Sequence, residues 1–100
     1  MRVMVDFCLV PIGEGVSVAA EIAACERILE AAGLETHLHP YGTVIEGEWE
    51  AVFSAIKRCH EHVHEMGTVR ISSSLRVGTR TDRVQTMQDK IDSVNQKLGR

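Results

Sequence analysis

Leu34-Glu35-Thr36-His37-Leu38-His39-Pro40-Tyr41-Gly42-Thr43-Val44-Ile45-Glu46-Gly47-Glu48 is the stretch that decides the fold. Residues 34–39 alternate Leu34, Thr36 and Leu38 against Glu35, His37 and His39, the period of a half-buried strand. Pro40-Tyr41-Gly42 reads as a turn and residues 43–48 as a second short strand. A helical pattern lies on each side of this hairpin. Upstream, Val18, Ile22, Cys25, Leu29 and Ala32 recur at steps of four and three, with Ser17 placed to cap the helix and Gly33 to end it. Downstream, Val52, Ile56, Cys59, Val63 and Met66 repeat the pattern, which Trp49 begins and Gly67 stops. Residues 3–10 before the first helix read as a strand, and residues 69–77 after the second as another. A last stripe of Val84, Met87, Ile91, Val94 and Leu98 predicts a third helix beginning at Thr81 or Asp82, with Asp82 and Gln85 as a capping box.

The order is βαββαβ plus one helix, the split-βαβ, ferredoxin-like α+β pattern. Right-handed crossovers put the first two helices on one face of a four-stranded antiparallel sheet ordered 4-1-3-2, a single domain over residues 1–100. Val3, Val5, Phe7 and Leu9 then point at the helices. The opposite set, Met4, Asp6, Cys8 and Val10, is largely apolar too, and a strand apolar on both faces is normally covered on both. The cover is either the third helix or another subunit, so an oligomer is expected.

The chain has 100 residues, 44% hydrophobic and 25% charged, which is globular composition; it argues against disorder and excludes a collagenous or coiled-coil rod and a disulfide-rich toxin scaffold. A domain of this size buries about two-thirds of its unfolded surface, leaving room for burial against a partner. The net charge of −3 does not suggest a nucleic-acid binder. Protonation of all five histidines would carry it to +2. Cys8, Cys25 and Cys59 are odd in number and form no CxxC, which fits a reducing compartment. The apolar run 3–12, broken by Asp6 and Pro11, is too short to span a bilayer. A cytoplasmic chain without membrane or nucleic-acid partners is expected.

Three segments carry a family resemblance: Val10-Pro11-Ile12-Gly13, Tyr41-Gly42-Thr43-Val44-Ile45-Glu46-Gly47, and Arg76-Val77-Gly78-Thr79-Arg80-Thr81-Asp82. Together they resemble the thiamine-binding protein family, long catalogued as one of unknown function, and especially its small fungal cell-wall-biogenesis-associated member, which shares the Gly-Thr-Arg-Thr-Asp run. The resemblance covers nearly the whole chain. It implies a ferredoxin-like fold, homotetramers built as pairs of dimers, and in some members binding of thiamine or its hydroxymethylpyrimidine half without known catalysis. No cofactor is implied.

Several side chains fit such a ligand. Asp6, Glu46 and Glu48 would form an acidic face suited to a cationic heterocycle, where a carboxylate accepts charge-assisted hydrogen bonds from an aminopyrimidine. Pairing of these carboxylates with Arg70 or Arg76 is the plain structural alternative. Tyr41 and Thr43 sit at the turn entering the third strand, where the ring either stacks on a ligand or covers the sheet end. Ser72 and Ser74 offer hydroxyls on the fourth strand. The loop 11–17 presents backbone N–H groups or is a simple strand-to-helix turn. Arg70, Arg76, Arg80 and Arg83 form a basic patch that either holds a phosphate or pairs with Asp82 and Asp89.

His60-Glu61-His62-Val63-His64 matches H-E-x-x-H, with His60 and His64 one turn apart as zinc ligands would be. No third ligand is evident, and both imidazoles border the apolar stripe, so they read as edges of the helix–sheet contact. His37 and His39 share the polar face of the second strand with Glu35, either as a chelating pair or as a solvated or interface face. The expectation is therefore a non-enzymatic small-molecule binder with Asp6, Tyr41, Thr43, Glu46, Ser72 and Ser74 at the ligand and no catalytic or metal residue. The alternatives are a structural or regulatory oligomer without ligand, and a metal-dependent hydrolase through His60, Glu61 and His64.

Overall fold

The structure is a computed structural model that describes residues 1–100. Strand β1 (Arg2–Ile12) is followed by helix α1 (Ala19–Ala31), the hairpin β2 (Glu35–His39) and β3 (Gly42–Glu48), helix α2 (Trp49–Glu65), strand β4 (Arg70–Gly78) and helix α3 (Met87–Lys97). The four strands form one sheet in the order β2-β3-β1-β4, with every neighbouring pair antiparallel. This is the ferredoxin-like arrangement that the element order predicts.

Register assigns the two faces. Val3, Val5 and Phe7 of β1 stand opposite Gly47, Ile45 and Thr43 of β3, and Val5, Phe7 and Leu9 opposite Val77, Leu75 and Ser73 of β4. This face meets α1 and α2. Val3, Val5, Phe7, Leu9 and Ile45 of the sheet join Cys25 and Leu29 of α1 and Val52, Ala55, Ile56, Cys59 and Val63 of α2 in one buried cluster. Each fully buried Val, Leu or Ile contributes about 1.5–3 kcal/mol, so this seam supplies the main drive to fold. Trp49 packs on Phe53 with ring centroids 4.6 Å apart, at the edge of the cluster.

Both core helices end alike. The N–H of Gly33 donates to the carbonyl of Glu30 and that of Leu34 to Leu29; the N–H of Gly67 donates to His64 and that of Thr68 to Val63. These are Schellman closures. Each needs a left-handed residue after the cap, supplied by Gly33 at φ +73° and Gly67 at φ +110°.

Two expected helix starts are corrected. Ser17 does not cap α1: its N-cap position is Val18, with no side-chain cap. Helix α3 begins at Met87, not at Thr81 or Asp82, and Thr86 and Asp89 form its capping box. The reason lies in the segment before it. Both carboxylate oxygens of Asp82 accept from Arg80, at 2.7 and 2.6 Å, and Gln85 accepts from Arg80 as well. With Asp82 and Gln85 held by one guanidinium, neither reaches a helix N-terminus. Val84 is correspondingly exposed.

The opposite sheet face carries Met4, Asp6, Cys8, Val10 and Ile12 of β1, Val44 and Glu46 of β3, and Ser72, Ser74 and Arg76 of β4. Helix α3 does not blanket it. None of its residues is buried, Val94 and Leu98 are each 58% exposed, and Val10 and Ile12 stay open. The molecule is accordingly elongated, 45 × 29 × 21 Å. No helix is long and apolar enough to cross a membrane.

Candidate functional site

The open sheet face owes its polar chemistry to strand alternation. Asp6 stands opposite Val44 on one side and Arg76 on the other, while Glu46 stands opposite Met4 and Glu35. Asp6 does not pair with its cross-strand neighbour Arg76. Its Oδ1 lies 2.7 Å from Nε2 of His39, which reaches from the edge strand across β3. Gly42 stands opposite His39, and a Cβ there would lie 2.5 Å from the Phe7 carbonyl oxygen. The backbone N–H of Tyr41 donates to Nδ1 of His39 at 3.3 Å. An imidazole that accepts at Nδ1 carries its proton at Nε2, so His39 donates to Asp6.

Glu46 is buried to 7% exposure, and its Oε2 accepts the backbone N–H of Met87 at 3.0 Å. A carboxylate at the first turn of a helix is stabilised by the unpaired N–H groups and partial positive charge there. No buried side-chain nitrogen or oxygen lacks a partner, so the second oxygen of Glu46, which has none, is open to the space beside it. Glu48 is removed from this group. It is exposed and binds the N-terminal ammonium of Met1 at 3.1 Å.

Between this face and the segment 79–90 lies a cleft of about 710 Å³. Asp6, Glu46, Met4 and Val44 line it from β1 and β3, Arg76 from the neighbouring β4, and Arg83 and Lys90 from the segment that follows β4. Arg80 lines it too, held by Asp82, whose carboxyl it lowers to about 2; the pairing raises Arg80 in turn. Arg70 is placed away from the cleft, opposite Ile12.

The expected ligand residues are divided. Asp6 and Glu46 share the large cleft. Tyr41 and Thr43 line a second groove, of about 300 Å³, between α1 and the β2–β3 hairpin. There the Thr43 hydroxyl donates to a carboxylate oxygen of Glu26. Tyr41 is 86% exposed. Ser72 and Ser74 lie on the open face opposite Val10 and Cys8, lining neither space. Sequence reasoning missed Glu26, and missed His39 as the partner of Asp6. It also missed Lys90 and Arg2 at the cleft.

The histidines of α2 are engaged structurally. Nε2 of His60 lies 2.8 Å from the Ser73 hydroxyl, and Nδ1 of His64 donates to the Thr68 carbonyl at 2.8 Å. Burial, then the nearby His64, pushes the His60 imidazole below its usual range. No third His, Cys, Asp or Glu gathers with them. Cys25 and Cys59 are buried where α1 meets α2, with Sγ of Cys59 3.8 Å from the Cys25 carbonyl oxygen. Its contact with Cys25 and its burial keep the Cys59 thiol protonated.

The sequence model of the family described as thiamine-binding protein matches residues 5–95. The chain belongs to the thiamine-binding protein family. A family member from Synechocystis, UPF0045 protein sll0230, is 57% identical over 94% of this chain and 78% of its own. The fungal UPF0045 protein ECM15 of Eremothecium gossypii is 43% identical over 98% of this chain and 94% of its own. Among solved structures, a Thermotoga maritima protein proposed to act in thiamine biosynthesis or salvage superposes with a TM-score of 0.79, covering 94% of this chain and 99% of its own at 20% identity. At that identity the likeness shows the fold. The matched span 5–95 includes Asp6, Glu46 and Arg76 of the cleft.

Proposed function

We propose that this protein binds thiamine or its hydroxymethylpyrimidine half in the large cleft, without catalysing a reaction, to sequester, sense or hand on the ligand in the cytoplasm. The carrying observation is the pair of carboxylates on the cleft floor. Asp6 and Glu46 each spend one oxygen on a protein donor, His39 and the N-terminus of α3, and keep the other free. Those free oxygens suit the exocyclic amine and a protonated ring nitrogen of an aminopyrimidine, bonds strengthened by the carboxylate charge. Met4 and Val44 beside them give the ring an apolar bed. The volume falls within the roughly 300–1,000 Å³ usual for small-molecule sites. Membership of the family supports the choice of ligand.

The same reading includes a homo-oligomer, a tetramer of paired dimers. Val10 and Ile12 on the sheet and Ile91, Val94 and Leu98 on α3 are exposed apolar residues that a sister chain would cover. Ser72 and Ser74, apart from the cleft within one chain, lie on that same face.

Isothermal titration with thiamine and with hydroxymethylpyrimidine tests the ligand. Saturable heat that falls at least tenfold in affinity in Glu46→Gln supports it; no heat at millimolar ligand with folded protein rejects it. Light scattering coupled to gel filtration tests the assembly, and a monomer at micromolar concentration rejects it.

A further inference from the structure

The charge of the cleft runs against that of the chain. The protein carries −3 overall, yet five basic side chains line this one space, Arg2, Arg76, Arg80, Arg83 and Lys90, against two carboxylates. The carboxylates do not neutralise them. Asp6 is paired with His39 and Glu46 with the backbone of α3. Of the five cations only Arg80 has an ion-pair partner, Asp82. Arg76 stands directly opposite Asp6 in the β1–β4 ladder and still leaves Asp6 to His39. Asp82 lies near enough to act on Arg83 without pairing with it, so the cations outnumber their counter-charges; like charges in such excess repel one another, and a bound anion relieves that repulsion.

We propose that the side of the cleft formed by Arg76, Arg83 and Lys90 is an anion subsite for a phosphate ester, so that the preferred ligand is a phosphorylated thiamine. This rests on the thiamine reading for the heterocycle, while the subsite itself rests on the unpaired cations. The ligand is matched end to end: its cationic, amine-bearing rings face Asp6 and Glu46, and its phosphate faces the arginines. Guanidinium groups suit the phosphate because their forked N–H donors meet its oxygens two at a time. The bidentate Arg80–Asp82 pair, with Gln85 also on Arg80, shapes the segment that carries Arg83, so the subsite is partly organised before the ligand arrives.

The test is a titration of one protein with thiamine, thiamine monophosphate and inorganic pyrophosphate, repeated for the exposed double variant Arg76→Gln/Arg83→Gln. Thiamine monophosphate is expected to bind about 10-fold or more tighter than thiamine, the weight of a charged hydrogen bond or two. The preference should shrink as salt rises from 50 to 300 mM and collapse toward unity in the double variant. Circular dichroism confirms that the variant is folded, and the salt dependence in the unaltered protein is a second readout free of that concern. Thiamine bound as tightly as its phosphate overturns the subsite and leaves the thiamine reading standing. Pyrophosphate bound through Arg76 and Arg83 with no thiamine binding keeps the anion subsite and overturns the thiamine reading. No binding of any of the three overturns both.

Discussion

Glu46 accepts a hydrogen bond at 3.0 Å from the backbone N–H of Met87, a residue 41 positions further along the chain. A carboxylate in the middle of the sheet thus sets where the last helix begins in space. Helix α3 buries none of its own residues; the capping box closes its first turn locally, and the bond to Glu46 ties that turn to the sheet beside the cleft. Anything that draws Glu46 toward a ligand also acts on α3.

Glu46→Gln keeps the shape of the side chain and removes its charge. The variant should lose about 0.3–2 kcal/mol of stability, the range for a charge at a helix terminus. Urea unfolding monitored at Trp49 measures it. Amide exchange at Met87 should quicken in Glu46→Ala, which removes the acceptor altogether, and unchanged exchange there would mean that the bond does not hold the helix.

The cap of α3 separates two readings of the same segment. Thr86→Ala should cost about 0.5–2 kcal/mol and reduce helicity, since it removes the acceptor for the Asp89 N–H. Asp82→Ala should leave helicity unchanged. In an NMR titration the Asp82 carboxyl should titrate near 2, and Arg80→Ala should return it toward the ordinary value near 3.8.

His39 should be found as the Nε2–H tautomer, with long-range nitrogen–proton correlations reading it directly. Asp6→Asn should weaken the fold by roughly 0.5–3 kcal/mol through loss of a charged partner. Gly42→Ala should be worse than an ordinary glycine-to-alanine change, because its Cβ would press on the Phe7 carbonyl, 2.5 Å away, in the backbone of the central strand.

The pH dependence follows from His60. Its folded value lies below the unfolded one near 6.5, because burial disfavours the charged imidazole. Between those two values the unfolded state binds more protons, so stability rises with pH. The contribution is therefore complete above about 6.5 and declines as pH falls toward the folded value, below which no more is lost. Urea unfolding between pH 7.5 and 5.0 should show this decline, and His60→Gln, which can still reach Ser73, should flatten it.

Much of this was legible from pattern. The two helical stripes and the hairpin between them were enough to imply the sheet order, because a right-handed crossover leaves one way to place α1 and α2 on a common face. Asp6 and Glu46 were legible as sharing the open face, since each alternates with an inward-facing apolar set, Val5 and Phe7 on β1 and Ile45 on β3. The helix stripe over residues 84–98 was legible, but its start was not. Two capping signals occur in the segment, at Asp82 and at Thr86, and a lone sequence does not show that Arg80 claims Asp82.

Residue periodicity alone determined the elements, their order and the buried face, because a side chain's direction within a strand or helix repeats with the local backbone and needs no distant contact. Tertiary structure decided the site. Whether Asp6 meets Arg76 or His39, and whether Glu46 reaches the first turn of α3, depends on the register of all four strands and on the path of the chain after β4. Those are long-range alignments, settled only when the whole sheet closes.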